Sequence, residues 1–291
     1  VGLGHLTRCT ALAEALGESG FEVETRGLGA TAVVELDEVR WQPWRPEAAA
    51  SGPAPDLLVL DTYDRADWQR VAGLARRRLA AFADALPEPG AADVTIALES
   101  DAETTGDLLA GLRFACLRRP FWDLGPRAIR VSPQTVLVTS GGSDLGGLAS
   151  RIASRLRERL PTIGLELVWG TGFGGEPPAG VVVLERPASL LEPLLRADAV
   201  VCTGGQTVLE AAASGVPALV LEGAPNQRRQ IASLAERGAV LPVGEEEVPD
   251  ALERLLGDSA LRRRLSERAR EAIDGRGALR AAAALGAISR R

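Results

Sequence analysis

The sequence predicts an α/β protein made of two Rossmann-like units, each with a parallel sheet, facing across a cleft. Three observations carry that expectation. Short apolar runs of strand length alternate with helical patterns, the grammar of parallel sheets covered on both faces. Gly-rich turns follow strand candidates in both halves, and open α/β sheets bind ligands beyond the carboxyl ends of their strands. The length of 291 residues is two domains' worth at the usual domain size.

In the first half, residues 6–16 are predicted as a helix with Leu6, Cys9, Ala13 and Leu16 on one face. Residues 21–25 are a short strand candidate, and 56–60 (Asp-Leu-Leu-Val-Leu) a buried strand ending at Asp61-Thr62-Tyr63. Residues 67–79 read as a helix, and 78–82 and 94–98 as further strands. The stretch 119–133 has three prolines and little periodicity and reads as a linker, with a hinge expected near 127–133. A second unit follows. Strands are predicted at 135–139, 165–169, 181–184, 199–202 and 217–221, and helices at 148–160, 207–213, 226–237, 248–256 and 259–273.

Composition narrows the function classes. Hydrophobic residues at 46% and charged residues at 25% exclude a disordered chain. Aromatic residues are only 4%, so the core is expected to be Leu, Val and Ala. A net charge of -6 argues against a nucleic-acid partner. All 33 basic residues are Arg and Met is absent, a compositional bias rather than an arginine-based function. Cys9, Cys116 and Cys202 are odd in number and lack a C-x-x-C pair, which suits buried thiols in a reducing compartment. A single His rules out a multi-histidine metal site within one chain, and neither metal nor cofactor is expected. The sequence has no 18-residue apolar run and no signal-peptide pattern, so a cytoplasmic protein without a membrane span is expected.

Four motifs could carry chemistry. Gly2-Leu3-Gly4-His5-Leu6-Thr7-Arg8-Cys9 pairs glycines with a helix start and a histidine placed to act as a base, or it is a tight turn with a capping His. Ser140-Gly141-Gly142-Ser143-Asp144 is a phosphate-facing loop or a strand-to-helix turn capped by Asp144. Thr203-Gly204-Gly205-Gln206-Thr207-Val208-Leu209-Glu210 combines strand, glycine pair and helix start, which suits a diphosphate. In it Glu210 is placed to accept two ribose hydroxyls, or is a solvated helix residue. Asp61-Thr62-Tyr63 at a strand end could bind a sugar or move a proton, or cap a helix and pack. His5, Tyr63 and Asn226 are the sole His, Tyr and Asn, and each falls near one of these motifs or at Pro225-Asn226-Gln227.

The ordered set of motifs resembles the UDP-sugar hydrolase of pseudaminic acid biosynthesis and the related spore-coat polysaccharide proteins. The resemblance extends through Leu108 to Phe121, Ala197-Asp198 and Asp274-Gly275-Arg276-Gly277. It implies the GT-B fold, with a sugar-binding domain over 1–130, a nucleotide-binding domain over 131–291, and the last helix packing back on the first domain. It implies metal-free release of UDP from a 2,4-diacetamido-2,4,6-trideoxy sugar. On that resemblance His5 activates water and Tyr63 assists near the sugar. The Gly204-Gly205 turn, Gln206 and Thr207 hold the diphosphate, Glu210 takes the ribose, and Asn226 faces the sugar or phosphate side. Gly4, Arg8, Asp61, Gly141, Gly142, Ser143 and Gln227 complete the expected substrate-binding set. The sequence departs from the family at Ala83-Asp84-Ala85, which has one Asp where two are common, at Thr62, where His is common, and at Ile96-Ala97-Leu98. A strand is expected before Gly2, so the chain is read as starting late. A glycosyltransferase of the same fold and a non-catalytic nucleotide-sugar binder are the alternative readings.

Overall fold

The computed structural model describes residues 3–28, 33–36, 38–44, 54–62, 64–83, 92–99, 102–141, 144–170 and 176–289. Tyr63, Asp84, Gly142 and Ser143 lie outside the described residues. The chain divides into two compact units, one of Val1–Trp122 with Arg276–Arg291, the other of Asp123–Gly275.

Unit 1 opens with α1, Leu3–Glu18. The helix begins before the predicted Leu6, so Gly4 and His5 sit in its first turn rather than in a preceding loop. A glycine costs about 1 kcal/mol in a helix interior, and less in a first turn whose N–H groups are unsatisfied anyway. Ala11, Leu12, Ala13, Ala15 and Leu16 are buried. The helix stops at Gly20, φ +84°. The Phe21 N–H bonds Leu16 O at 3.1 Å and the Gly20 N–H bonds Gly17 O at 3.0 Å, a Schellman closure. Phe21 is thereby spent on the helix end, and β1 is Thr25–Leu28 rather than the predicted 21–25.

β1 pairs in parallel with β3, Val39–Trp44, which pairs antiparallel with β2, Val34–Leu36. A second sheet of unit 1 is wholly parallel in the order β4-β5-β6-β7, namely Leu57–Leu60, Arg78–Phe82, Val94–Ala97 and Leu108–Ala110. β6 is buried at every position, as a strand covered on both faces must be. Between β4 and β5, α2 spans Arg65–Ala72 with Asp64 as its N-cap, accepting the Ala66 and Asp67 N–H groups. It ends at Gly73 and not at the predicted Leu79, because residues 78–82 are claimed by the sheet.

The terminal helix α9, Gly277–Ser289, belongs to unit 1 and packs on α1. Both faces are rich in alanine, which lets the helix backbones approach closely. A Cβ on Gly277 would lie 2.1 Å from Ala115 O, so only glycine fits there.

Unit 2 has one six-stranded parallel sheet in the order β10-β9-β8-β11-β12-β13. Its strands are β8 Thr135–Thr139, β9 Gly164–Trp169, β10 Val182–Glu185, β11 Ala199–Thr203, β12 Ala218–Leu221 and β13 Leu241–Pro242. Renumbered within the unit this is 3-2-1-4-5-6, the doubly wound order whose switch point lies between β8 and β11. The covering helices are α3 Leu148–Arg159, α4 Leu191–Arg196, α5 Gln206–Ser214, α6 Arg228–Glu236, α7 Val248–Gly257 and α8 Ser259–Ala272. One core cluster joins β8, β9, β11 and β12 to α3, α7 and α8.

The stretch read as a linker and hinge is not free. Arg127 donates to Leu194 O at 3.0 Å and to Ala197 O. Arg130 donates to Arg196 O and to Asp198, and the buried Arg262 donates to the carbonyls of Arg130 and Val131. Asp198 also accepts the N–H groups of Gln134 and Thr135. Arginines and one buried carboxylate thus fasten residues 127–135 to the body of unit 2, which a count of prolines does not reveal.

Candidate functional site

In unit 1 a carboxylate at the end of β4 meets the first turns of α1. His5 Nδ1 lies 2.6 Å from Asp61 Oδ1. The Arg8 guanidinium grips the same carboxylate in bidentate fashion, Nε to Oδ2 and Nη2 to Oδ1, both at 2.6 Å. The Cys9 thiol donates to Oδ2 at 3.4 Å. Arg8 also rests over the Phe82 ring, 5.0 Å from its centroid, so the end of β5 supports it from beneath. The Asp61 side chain is 4% exposed and that of His5 14%.

The electrostatics are coherent. Burial by itself raises the Asp61 carboxyl. The hydrogen bonds from Arg8 and His5, together with their charges, overcome it and hold the group below its ordinary value. Burial, reinforced by Asp61, pushes the Cys9 thiol well up, so it stays a protonated donor. An ionised Asp61 can only accept, so the proton in the 2.6 Å contact belongs on Nδ1 of His5. Arg8 and Asp61, expected to bind substrate, are engaged with each other and with His5. Gly4 is exposed, and a Cβ there would meet nothing within 4 Å.

In unit 2 the candidates gather beyond the carboxyl ends of β8 and β11, at the switch point. Gly141 follows β8 with φ +84°, its N–H on Thr139 Oγ1 at 3.1 Å. Thr203 Oγ1 donates to Ser140 O at 3.3 Å, joining the two loops. Gly205 has φ +92° and ψ -148° and caps α5 without a side-chain cap bond. A Cβ on Gly141 would come to 3.6 Å from Thr207 Oγ1, so the two glycine turns lie side by side. The first turn of α5 directs N–H groups and the positive end of its dipole outward, the arrangement that suits an anion. Glu210 is 4% exposed, which excludes a solvated helix residue.

Asn226 is exposed and Gln227 half-buried in the turn Pro225–Gln227 after β12, ahead of α6 rather than within it. Asp144 does cap: its carboxylate accepts the Ala149 N–H at 2.8 Å and the Ser140 hydroxyl at 3.1 Å. Gln230 escaped the sequence reading. It is 6% exposed, and its Oε1 accepts the Gly205 N–H at 2.6 Å. The available signal was its spacing three residues after Gln227, one face of the helix predicted over 226–237. The described residues include no group of three or more His, Cys, Asp and Glu able to hold a metal ion, and no helix long and apolar enough to cross a membrane.

No protein-family model matches the chain. The spore coat polysaccharide biosynthesis protein SpsG of Bacillus subtilis is 32% identical over 109 residues, 35% of this chain and 32% of SpsG. The chain thus spans about a third of the length of that curated relative. Among solved structures, the spinosyn forosaminyltransferase SpnP superposes with a TM-score of 0.66 at 18% identity, covering 100% of this chain and 97% of SpnP. The chain has the GT-B fold. The spinosyn rhamnosyltransferase SpnG complexed with thymidine diphosphate gives 0.62 at 18% identity, covering 96% of each chain.

Proposed function

We propose that this protein is a metal-independent hydrolase of a UDP-linked 2,4-diacetamido-trideoxy sugar, releasing UDP, in pseudaminic-type nonulosonic acid or surface polysaccharide biosynthesis in the cytoplasm. The observation that carries the reading is His5 held on a buried, ionised Asp61. With Nδ1 donating to Asp61, the reading gives the role of base to Nε2. Nε2 takes a proton from water as the oxygen attacks the anomeric carbon. The anomeric C–O bond breaks, and its electron pair leaves on the β-phosphate oxygen. In unit 2 the first turn of α5, set in place by the Gly141 and Gly205 turns, stabilises the diphosphate, and Glu210 takes the ribose. Tyr63 is proposed to assist on the sugar side, with Asn226 and Gln227 contributing from unit 2. Support comes from the likeness to SpsG, a polysaccharide biosynthesis protein, and to SpnG, a GT-B protein with a bound nucleoside diphosphate.

A glycosyltransferase is the second reading, favoured by the transferase names of SpnP and SpnG. In that case His5 takes its proton from an acceptor hydroxyl instead of water. One experiment separates the two. UDP release is followed from a panel of UDP-linked deoxy-amino sugars, without metal, for the wild type and for His5→Ala. Release in water alone that His5→Ala lowers by about 10²–10⁴-fold establishes the hydrolase. Release only when a sugar or polyol acceptor is added establishes the transferase. Tight UDP binding with no turnover under either condition reduces the protein to a binder, and absence of UDP binding removes the nucleotide reading of unit 2.

A further inference from the structure

We infer that Gln230 is a positioning residue that sets the Gly204-Gly205 turn and, through it, the anion-binding end of α5. The inference rests on the nucleotide reading of unit 2 and deepens it. Gly205 occupies a backbone region open in practice only to glycine, φ +92° and ψ -148°. Such a conformation persists only where its surroundings impose it. What imposes it here is α6. Gln230 Oε1 takes the Gly205 N–H at 2.6 Å, and Gln227 Oε1 takes the Gly223 N–H at 2.9 Å, so two side chains one helical turn apart bind the loops after β11 and β12. Gly204 is pressed onto the same helix. A Cβ there would lie 2.8 Å from Gln227 Cβ and 3.1 Å from Ile231 Cδ1.

Had Gln230 served only to fill space, an apolar residue of its size would avoid the cost of burying an amide. Its carbonyl instead satisfies a backbone donor in the turn itself. The contact also assigns the amide's orientation, because the oxygen must face the N–H. One consequence concerns the ligand. The Gly205 N–H is committed to Gln230, so the donors that α5 offers a diphosphate come from its own first turn, which starts at Gln206. Gln230 acts on the ligand through the backbone it holds.

The test uses the full chain and UDP as the probe. Gln230→Met keeps the length and removes the acceptor, whereas Gln230→Glu keeps an acceptor for the Gly205 N–H. Calorimetry is expected to show UDP affinity about tenfold weaker in Gln230→Met, as for one lost oriented hydrogen bond. Hydrogen exchange is expected to accelerate over residues 204–208 in Gln230→Met and to return toward wild type in Gln230→Glu. That rescue separates a positioning role from simple packing. Wild-type affinity in a folded Gln230→Met overturns the inference, as does exchange in Gln230→Glu as fast as in Gln230→Met. Should Gln230→Met fail to fold, Gln230→Glu decides alone, retained protection supporting the inference and lost protection overturning it. If the wild type itself does not bind UDP, the nucleotide reading fails, and the exchange comparison still decides what Gln230 does.

Discussion

The two units use different parts of the polypeptide for their candidate chemistry. Unit 2 has one continuous sheet with a switch point between β8 and β11, and its candidate site is mostly backbone: two glycine turns and a helix start. Unit 1 distributes its described strands over two smaller sheets, and its candidate site is side chains: His5, Arg8 and Cys9 on the Asp61 carboxylate. Backbone donors suit the binding of a fixed negative charge. Moving a proton requires a titratable group, which a side chain such as His supplies near neutral pH and an internal peptide group does not. The contrast is why unit 2 is the binding half of the proposal and unit 1 the reacting half.

Two substitutions in unit 1 should have the largest effects. Gly277→Ala forces a Cβ against Ala115 O, N and C, at 2.1, 2.5 and 2.6 Å. Backbone atoms cannot turn aside as a side chain can, so α9 must lift from its seat. The expected cost is about 4 kcal/mol or more, seen as an early loss of unit 1 in denaturant melts with unit 2 little changed. If both units melt as in the wild type, the packing of α9 described above is wrong.

Asp61→Asn comes next. It removes the charge from a largely buried carboxylate that Arg8 grips twice, at about 3 kcal/mol. It also replaces one carboxylate oxygen by an NH2 donor, so the His5 tautomer is no longer set, and turnover should drop about 10²–10⁴-fold while UDP affinity holds. The pH dependence has a definite sign. The Asp61 carboxyl is lowered on folding, so its stabilising contribution is full above the ordinary carboxyl range and fades as pH falls through the lowered value. Acid titration of unit 1 should therefore be flatter in Asp61→Asn than in the wild type. Equal loss of UDP affinity and turnover would show instead that Asp61 belongs to the binding half.

How much of this was legible in the sequence depended on the range of the interaction. β5 and β8 fall at the predicted residues 78–82 and 135–139, because short apolar runs flanked by polar residues mark their own ends. β2 and β3 were not foreseen: the first has three residues, and in the second the alternation of half-buried Val39 and Trp41 with exposed Arg40 and Gln42 is broken at Pro43. α4 has six residues and an internal proline. The identities of His5 and Asp61 could be read as candidates. Their contact could not, since they are 56 residues apart and nothing local reports the pairing. The burial of Glu210 was illegible for another reason. α5 is buried along nearly its whole length, so it has no polar face against which an inward carboxylate could be recognised.

Gly204→Ala is the unit 2 counterpart of the Gly277 test and should be milder. The new methyl meets Gln227 Cβ at 2.8 Å and Ile231 Cδ1 at 3.1 Å, longer approaches than those to the Ala115 backbone, and the Ile231 tip can turn aside while the short turn shifts away from Gln227. A cost of about 1–3 kcal/mol is expected, confined to unit 2, together with weaker UDP binding as the turn shifts. Stability lost with UDP affinity intact would separate the turn from the ligand and weaken the backbone-binding side of the contrast.

The smallest effects come from a matched pair of helix caps. Asp64 caps α2 in unit 1, accepting the Ala66 N–H at 2.7 Å, and Asp258 caps α8 in unit 2, accepting the Leu261 N–H at 2.8 Å. Replacing either with Ala removes one acceptor at a helix start, worth about 1 kcal/mol. Neither residue belongs to a candidate site, so turnover and UDP affinity should not change. The pair therefore calibrates the larger substitutions, because it imposes similar small losses on the two units by the same chemistry. If Asp64→Ala lowers only the unit 1 transition and Asp258→Ala only that of unit 2, the effects of Gly277→Ala and Gly204→Ala can be assigned unit by unit. If each cap variant shifts a single shared transition, the units unfold together, and the contrast between them is one of chemistry rather than of stability.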